Sequence, residues 1–386
     1  NKRSTTNPWN DILQANESAA EGTDATYSNL IYLTNGFQLK TTNGEFNGSG
    51  STYLYFAMAA EPETSTPSLA DSFNTVTYTG DGGTTQAISG VGFESDFTWI
   101  KDRDATESHA LFDIVRGANE WLSSDTTAAE TTYSGNYGVL SWSSDGFTVG
   151  NGTGVNRLND KYVSWNWKAG GAPSINTNGT VTSIVSVNQA AGFSIIANRS
   201  PAGAYTWGHG LSKAPELWTH KALDYTYGWE TLSPKVFGNA SGSLNPADWD
   251  YGFLNTTAGF GNQTAYCADN SVLSSTGWGQ ANNFVTYAWH SVAGYSKIAT
   301  YTGNGSTTGP IVNTGFQPTF LLVKRQDSGD NWLLFDNKRN TSNPTNLALS
   351  PNNTAAESVG NLGNGITLQS TGFQLATTDG GLNDNN

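Results

Sequence analysis

The chain repeats itself, and this repetition constrains its fold more than any other feature of the sequence. Residues 78–113 read YTGDGGTTQAISGVGFESDFTWIKDRDATESHALFD, and residues 301–336 read YTGNGSTTGPIVNTGFQPTFLLVKRQDSGDNWLLFD. The two segments align without a gap at a constant offset, from Tyr78 and Tyr301 onward. Self-similarity at a fixed spacing indicates tandem copies of one supersecondary unit, each burying apolar surface against its neighbours.

The second half of the repeat recurs as well, marked by an AAE triplet, a GF turn and an aromatic closing segment in that order. The AAE triplets occupy residues 19–21, 128–130 and 355–357. The GF turns occupy residues 36–37, 146–147 and 372–373. The closing segments occupy residues 52–62, 161–173 and 283–296. We therefore predict the back half of one repeat at 1–62, a complete first repeat at 74–172, a divergent second repeat at 180–295, and a third repeat lacking its closing strand at 297–386.

The opening stretch of the chain belongs to the middle of a repeat. Residues 1–21 read NKRSTTNPWNDILQANESAAE and match residues 337–357, NKRNTSNPTNLALSPNNTAAE. Two explanations fit this pattern: the sequence is an ordered piece of a longer polypeptide, or another subunit supplies the missing strands by β-addition. We favour the longer polypeptide, because both breaks fall inside a repeat.

Composition and patterning predict an all-β chain. Only 13% of the residues are charged, whereas 36% are hydrophobic and 12% aromatic, which favours packed β-structure over disorder. Alternation in KYVSWNW places Val163, Trp165 and Trp167 on one face of a strand. Many short strands between glycine-rich turns predict tandem antiparallel β-sandwich or jelly-roll repeats with little helix.

The charge and the cysteine count exclude several classes of protein. The formal net charge is −14, without the clustered Lys and Arg that nucleic-acid binding requires. No apolar run approaches the roughly 18 residues that a membrane-spanning helix needs, so we predict no membrane insertion. The single cysteine, Cys267, cannot form an internal disulfide, so stability must come from burial of the core.

Motifs for catalysis and metal binding are missing from the sequence, and we predict no enzyme, no catalytic residues, no metal site and no cofactor. The four histidines form no HxH or HExxH pattern, and no GxSxG elbow or phosphate-binding loop is present. Clusters of Asp, Asn and Gly at 79–83 and 377–386 offer oxygen ligands for Ca²⁺. They lack EF-hand spacing, and the same residues also suit tight turns.

A set of charged positions recurs between repeats. One interpretation is a clamp for an anion or a sugar hydroxyl, and the one we favour is a partly buried ion pair that pins adjacent strands, because buried charges persist only when paired. Arg3 matches these arginines in the N-terminal segment. The recurring structural positions are Lys101, Asp113, Arg116, Lys324, Asp336 and Arg339.

The divergent repeat is the richest in aromatic residues. Aromatic faces stack on sugars, so this cluster is a candidate site for glycan recognition. Packing in the core or at an interface between domains explains the same residues equally well. The candidate ligand-binding residues are Trp207, His209, Trp218, Trp229, Trp249 and Tyr251.

Several long segments resemble a repeat family found in virion proteins of tailed bacteriophages, including marine phages and cyanophages. They include YVSWNWKAGGAP, GHGLSKAPELWTHKALD and the stretch from VAGYSKIATYTG to LLFDNKRN. The resemblance covers nearly the whole chain and implies a tail-fibre-like virion component with lectin-like β-sandwich units. It carries no catalytic residues to transfer, and the stretch at 225–280 departs from it.

These observations lead to an expected function. We expect a virion structural protein of a tailed phage, a tail-fibre or particle-surface component that adheres to a host glycan. Its partners would be other virion proteins, copies of itself and a host surface glycan, at the virion surface in the extracellular space. Two alternatives stay open: a capsid decoration or filament scaffold without glycan binding, and a carbohydrate-active depolymerase with an acidic pair in a cleft.

Overall fold

The computed structural model describes residues 11–12, 22–23, 30–33, 36–43, 47–51, 71–133, 135–277, 281–358 and 362–385. The chain divides into two compact units, Asn1–Ser65 and Thr66–Asn386, here called the N-terminal unit and the main unit. The first AAE triplet, Arg3 and the closing segment predicted at 52–62 lie outside the described residues.

The N-terminal unit contains two short antiparallel pairs of strands. Its strands are β1 Asp11–Ile12, β2 Gly22–Thr23, β3 Leu30–Leu33 and β4 Gly36–Leu39. Strand β1 pairs with β2, and β3 pairs with β4 through Leu30 opposite Leu39. The GF sequence at 36–37 begins β4, as the turn pattern predicts.

The first repeat forms two antiparallel sheets. Its elements are β5 Phe73–Thr79, β6 Gln86–Ser89, β7 Phe97–Asp102, β8 Ala110–Asp113, β9 Gly117–Leu122, β10 Thr131–Thr132, β11 Val139–Ser143, β12 Gly146–Val149, helix α1 Thr153–Asn156 and β13 Lys161–Trp167. The larger sheet has the order β10-β9-β8-β7-β13-β5, and the smaller has the order β11-β12-β6. The closing strand β13 is therefore the last in sequence but lies inside the sheet, between β7 and β5.

Alternation of side chains explains why β13 forms a central strand. Val163 and Trp165 are fully buried on one face, and Trp167 beside them is 8% exposed. Ser164 and Asn166 on the opposite face are also buried, and the Asn166 amide donates to the backbone oxygen of Ser164 at 3.2 Å. Both faces are covered, so a slip by one residue would exchange these two sets and is strongly disfavoured.

The second repeat contains larger sheets. Its elements are β14 Ser174–Asn176, β15 Ser183–Asn188, β16 Phe193–Arg199, β17 Tyr205–Gly208, β18 Leu217–Ala222, β19 Glu230–Pro234, β20 Gly242–Ser243, a 3-10 turn Pro246–Asp248, β21 Trp249–Phe253, β22 Gly261–Asn262, β23 Tyr266–Asp269, β24 Val272–Ser275 and β25 Asn283–Trp289. The sheets have the orders β14-β15-β16-β25-β18-β19-β21-β22 and β17-β24-β23-β20. Here too the closing strand, β25, lies inside its sheet, between β16 and β18.

The third repeat has fewer strands. Its elements are β26 Ile311–Asn313, β27 Phe320–Val323, β28 Leu333–Asp336, β29 Ile366–Gln369, β30 Gly372–Leu375 and helix α2 Gly380–Asn383. One sheet has the order β26-β30-β29, and the other contains only β27 and β28. Among the described residues, β27 pairs with β28 along one edge.

One apolar cluster joins all three repeats of the main unit. It contains Trp165 from the first repeat, Tyr287 from the second and Leu334 from the third, each at most 1% exposed. Each repeat also has a cluster of its own, centred on Phe147, Trp207 and Phe373 respectively. The main unit is therefore stabilised both within its repeats and between them.

The prediction of an all-β chain is confirmed. The described residues are nearly all in antiparallel strands and connections, and helices α1 and α2 have four residues each. No helix in this part of the chain is long and apolar enough to cross a membrane.

The glycine of the GF turn lies too close to a neighbouring strand to carry a side chain, and this can be tested. A Cβ atom on Gly372 would lie 2.0 Å from the carbonyl oxygen of Val312, and one on Gly146 would lie 2.0 Å from that of Ile88. We expect Gly372→Ala to reduce the free energy of unfolding by about 1–3 kcal/mol, because strand backbone must move apart. Gly203→Ala is the matched control, since no atom lies within 4 Å of its Cβ. Urea unfolding of both variants checks this, and equal losses would contradict it.

Candidate functional site

Three equivalent backbone hydrogen bonds join the three repeats of the main unit. Each acceptor lies two residues after a buried or partly buried lysine, and each donor lies in the back half of another repeat. The bonds join Glu130 N to Leu223 O at 2.9 Å, Phe260 N to Gln326 O at 2.7 Å, and Glu357 N to Arg103 O at 2.8 Å. The first repeat thus contacts the second, the second contacts the third, and the third contacts the first, so the contacts close a cycle.

A ring N–H strengthens each of these junctions. Trp229 Nε1 donates to Ser123 O at 2.7 Å, and Trp332 Nε1 donates to Phe253 O at 3.1 Å. At the third junction the ring belongs to His109, whose Nε2 lies 3.0 Å from the carbonyl oxygen of Ser350. The equivalence of His109 with Trp229 and Trp332 is not visible in the sequence, because the residue type differs between repeats.

The chemical state of His109 follows from its neighbours. Trp99 Nε1 donates to His109 Nδ1 at 2.9 Å, so Nδ1 is the acceptor and Nε2 carries the proton. Burial lowers the pKa of His109 well below its usual value. The ring is therefore neutral and serves as a hydrogen-bond donor at the junction, in the role that tryptophan has elsewhere.

The recurring lysines bind backbone carbonyls. Lys101 Nζ donates to Asp102 O at 2.6 Å and Lys324 Nζ to Arg325 O at 2.7 Å, in each case the next residue. Lys221 of the divergent repeat does the same with Ala222 O at 2.9 Å, although it was not among the predicted recurring positions. Burial lowers the pKa of Lys101 and of Lys221 to about 8. The lysines are thus separate from the Asp–Arg pairs with which they recur in sequence.

The first ion-pair cluster contains Asp113, Arg116, Glu130 and Tyr287. Arg116 Nε lies 2.5 Å from Asp113 Oδ2, and Arg116 Nη1 lies 2.8 Å from Glu130 Oε2. Tyr287, in the closing strand of the second repeat, donates its hydroxyl to Asp113 Oδ2 at 2.7 Å. The Arg116 side chain is only 2% exposed. Its guanidinium therefore binds groups at the junction and cannot be reached by a dissolved ligand.

The second ion-pair cluster, Asp336, Arg339, Glu357, Arg103 and Trp165, joins the third repeat to the first. Arg339 Nε lies 2.6 Å from Asp336 Oδ2, and Arg339 Nη1 lies 2.7 Å from Glu357 Oε1. Arg103 of the first repeat also binds Glu357, with its Nη2 lying 2.8 Å from Glu357 Oε2. Trp165 of closing strand β13 donates to Asp336 Oδ2 at 3.1 Å. This geometry matches the favoured interpretation of a buried pair that fixes strands.

The second repeat departs from this pattern at two positions. Phe97 lies opposite Asp113, and Phe320 lies opposite Asp336, in equivalent strand pairs. In the second repeat the residue at the place of the aspartate is Ser233. The arginine three residues later is replaced by Val236. Two of the three junctions therefore contain an Asp–Arg pair, and the third does not.

The structure places the predicted glycan-binding residues mainly in the interior. Trp207, Trp218 and Trp249 belong to the core of the second repeat, and Trp229 belongs to the cluster shared by the repeats. Their exposed fractions are at most 1%, so no aromatic face is open to a sugar. Tyr251 is the only member of this set that is partly exposed.

His209 from the same set is also buried and has a structural role. Its Nδ1 accepts from Leu211 N at 3.0 Å, and its Nε2 lies 3.1 Å from the carbonyl oxygen of Asp269. Burial lowers the pKa of His209 to about 4, so the ring is neutral at physiological pH. It connects β17 to the turn before β24.

The candidate calcium clusters are turns in this structure. Asp81 Oδ1 accepts from Gly83 N at 2.7 Å and from the Asn156 amide at 3.0 Å. Asp379 Oδ1 accepts from Gly381 N at 3.0 Å and caps helix α2. Within the described ranges, no group of three or more His, Cys, Asp or Glu side chains is placed to hold a metal ion.

An open groove of about 730 Å³ lies in the third repeat. One wall is the segment 297–303, and the other is β27 together with Lys324 and Gln326. Ser233 of the second repeat reaches the same groove, and the Gln326 amide lies 3.5 Å from its hydroxyl oxygen. Lys324 and part of the candidate calcium cluster at 377–386, including Asp384, line this groove, but the sequence did not predict a groove here.

The fold and the junctions define an all-β protein with internal repeats that are joined by buried polar contacts. The chain belongs to the family described as Domain of unknown function (DUF7483), whose family model matches residues 1–62 and 68–386. No curated protein and no solved structure matches the chain.

Proposed function

We propose that this chain is a structural protein of a tailed-phage virion, a tail-fibre or particle-surface component made of tandem lectin-like β-sandwich repeats. The observation that carries the proposal is the closed cycle of junctions within the main unit. The recurring lysines, aspartates and arginines bind carbonyls or each other there. These side chains recur between repeats and hold the repeats together, as expected of a rigid building block.

The electrostatics and the sequence resemblance support the same proposal. A net charge of −14 keeps closely spaced copies soluble and disfavours contact with anionic membranes. The resemblance to phage virion repeats supports other virion proteins and further copies of the chain as proposed partners. A host-surface glycan is the third proposed partner, at a surface other than the buried tryptophans of the second repeat.

The position of the protein on intact particles tests the proposal. Antibodies against the purified chain, detected with gold by electron microscopy, are expected to label tail fibres or the outer surface of the particle. Serum from before immunisation is the control for background. Absence of the chain from purified particles would overturn the proposal.

Two further assays separate the alternatives. Binding to host cells that is lost after removal of surface polysaccharide supports adhesion, whereas capsid labelling without such binding supports a decoration or scaffold. Release of reducing ends from host polysaccharide would instead indicate a depolymerase. Such an activity would contradict the non-enzymatic part of the proposal.

A further inference from the structure

The junction between the third and first repeats differs chemically from the other two. At those two junctions the ring that donates across the contact is the indole of Trp229 or of Trp332. Here it is the imidazole of His109, whose Nε2 lies 3.0 Å from the carbonyl oxygen of Ser350. An indole N–H keeps its proton, whereas an imidazole changes its charge close to neutral pH. Of these three junction rings, His109 is therefore the one whose charge depends on pH.

The hydrogen bonds of His109 require a neutral ring. Trp99 Nε1 donates to His109 Nδ1 at 2.9 Å, and Nε2 carries the proton that the Ser350 carbonyl accepts. An imidazolium is a donor at both nitrogens. Protonation would therefore set a new N–H at Nδ1 against the indole N–H of Trp99, at a residue that has no exposed surface.

The charged groups around His109 also disfavour an imidazolium. Burial lowers the pKa of the ring, and the cations Lys101 of β7 and Arg339 of the third repeat lower it further. The neighbouring acid is Asp125, which follows β9. Its carboxylate accepts the backbone N–H of His109 and the hydroxyl of Ser108, both at 2.9 Å, rather than a ring N–H. A charge on the buried ring would thus lack a hydrogen-bonded carboxylate.

Further contacts at this junction determine how rarely it opens when the ring is neutral. Glu357 N donates to Arg103 O at 2.8 Å, and the Ser124 hydroxyl donates to Pro351 O at 2.7 Å. The Arg103 guanidinium also lies 2.8 Å from the Glu357 carboxylate. These bonds join the same two repeats as the bond from His109. Separating the repeats would therefore break them together and bring His109 into water.

We propose that the junction between the third and first repeats is acid-sensitive: protonation of His109 favours its opening, while the two tryptophan junctions stay closed. Acid would thereby convert the closed cycle of repeats into a row that is joined at the two tryptophan junctions. The proposal concerns the main unit alone and does not depend on a place for the protein in a virion.

The size of the effect follows from the linkage between protonation and opening. His109 is neutral in the closed junction and has a pKa of about 6.5 once it is in water. A base whose pKa is lower in the closed state stabilises that state fully above its open-state pKa, and this contribution is lost as the pH falls. The opening constant is therefore expected to rise about tenfold between about pH 7.5 and about pH 5.5.

The neighbouring charged groups do not produce such a rise in this pH range. Lys101, whose pKa burial lowers to about 8, is largely protonated throughout it. Arg339 keeps its charge. Burial raises the pKa of the Asp125 carboxyl, so acid would act through Asp125 to stabilise the closed junction. A rise in opening over this range therefore has the sign expected of His109.

Three equivalent backbone amides report on the three junctions separately in the full chain. They are Glu357 N–H at this junction and Glu130 N–H and Phe260 N–H at the other two. Hydrogen exchange followed by NMR gives an opening constant for each, after division by the intrinsic exchange rate at each pH. From about pH 7.5 to about pH 5.5 we expect about a tenfold rise at Glu357 and less than about a twofold rise at the others. No rise at Glu357, or an equal rise at all three amides, would overturn the proposal.

Two histidine variants identify the group that titrates. His109→Gln keeps an amide donor for the Ser350 carbonyl and has no charge to gain, so the opening constant at Glu357 is expected to change by less than about twofold over the same range. His209→Gln is the matched control, because it removes another buried histidine, from inside the second repeat, and should retain the rise. A rise that persists in His109→Gln would overturn His109 as the sensor. The comparison of the three wild-type amides decides the proposal even where a variant folds poorly.

Discussion

Replacing Arg339 by methionine is expected to reduce the free energy of unfolding by about 3–5 kcal/mol, because the change leaves buried carboxylates without their cation. Asp336 and Glu357 both bind this guanidinium, at 2.6 and 2.7 Å, and the Arg339 side chain has no exposed surface. The guanidinium also donates to Leu334 O at 2.9 Å. The loss would therefore affect both the third repeat and its contact with the first.

The chain itself supplies the matched control for this variant. The second repeat has serine and valine at the equivalent positions, Ser233 and Val236. The double variant Asp336→Ser, Arg339→Val copies that solution and removes both charges of the pair, while Glu357 keeps Arg103 as a partner at 2.8 Å. We expect the double variant to be less destabilised than Arg339→Met alone. Urea unfolding measures both, and a larger loss in the double variant would contradict a role of the arginine in neutralising Asp336.

The repeat pattern in the sequence predicted much of the fold because equivalent residues have equivalent strand positions. The closing strand β13 and the GF turns at 146–147 and 372–373 follow from local periodicity and alignment alone. The Asp–Arg pairs were also predictable from the sequence, because the two residues are only three apart and recur together. The structure shows that they lie in contact. The predicted boundaries of the repeats are still predictions; the compact units are Asn1–Ser65 and Thr66–Asn386.

The contacts between repeats could not be predicted, because they depend on how whole sheets pack. Trp229 and His109 occupy equivalent junction positions, but their residue types differ and the sequence gives no sign of the shared acceptor. The aromatic cluster of the second repeat illustrates a related limit. The spacing of Trp207, Trp218 and Trp249 is the same for a buried core as for a sugar-binding face, and only tertiary packing distinguishes them.

Glu230 is expected to make the stability of the protein depend on pH. It lies buried in β19, and burial raises the pKa of its carboxyl to about 7, although hydrogen bonds from Gln263 and Tyr227 act in the opposite direction. A carboxyl whose pKa is higher in the folded state binds its proton more tightly when folded. Its favourable contribution is therefore complete below its unfolded pKa, near 4.5, and is lost as the pH rises through about 7.

Glu230→Gln removes this titration and keeps an oxygen for the Gln263 amide, which donates to the glutamate at 3.2 Å. Relative to the wild type, the variant is expected to gain roughly 2–3 kcal/mol in unfolding free energy between about pH 5 and about pH 8.5. Comparing the two proteins at each pH cancels the other titrating groups, including Asp96, whose pKa burial raises to about 6. Asp71→Asn is the control, because it removes one carboxylate from an exposed side chain. Parallel stability curves for the wild type and Glu230→Gln would show that the Glu230 carboxyl is not strained by burial, since a group with equal pKa values in both states cannot couple folding to pH.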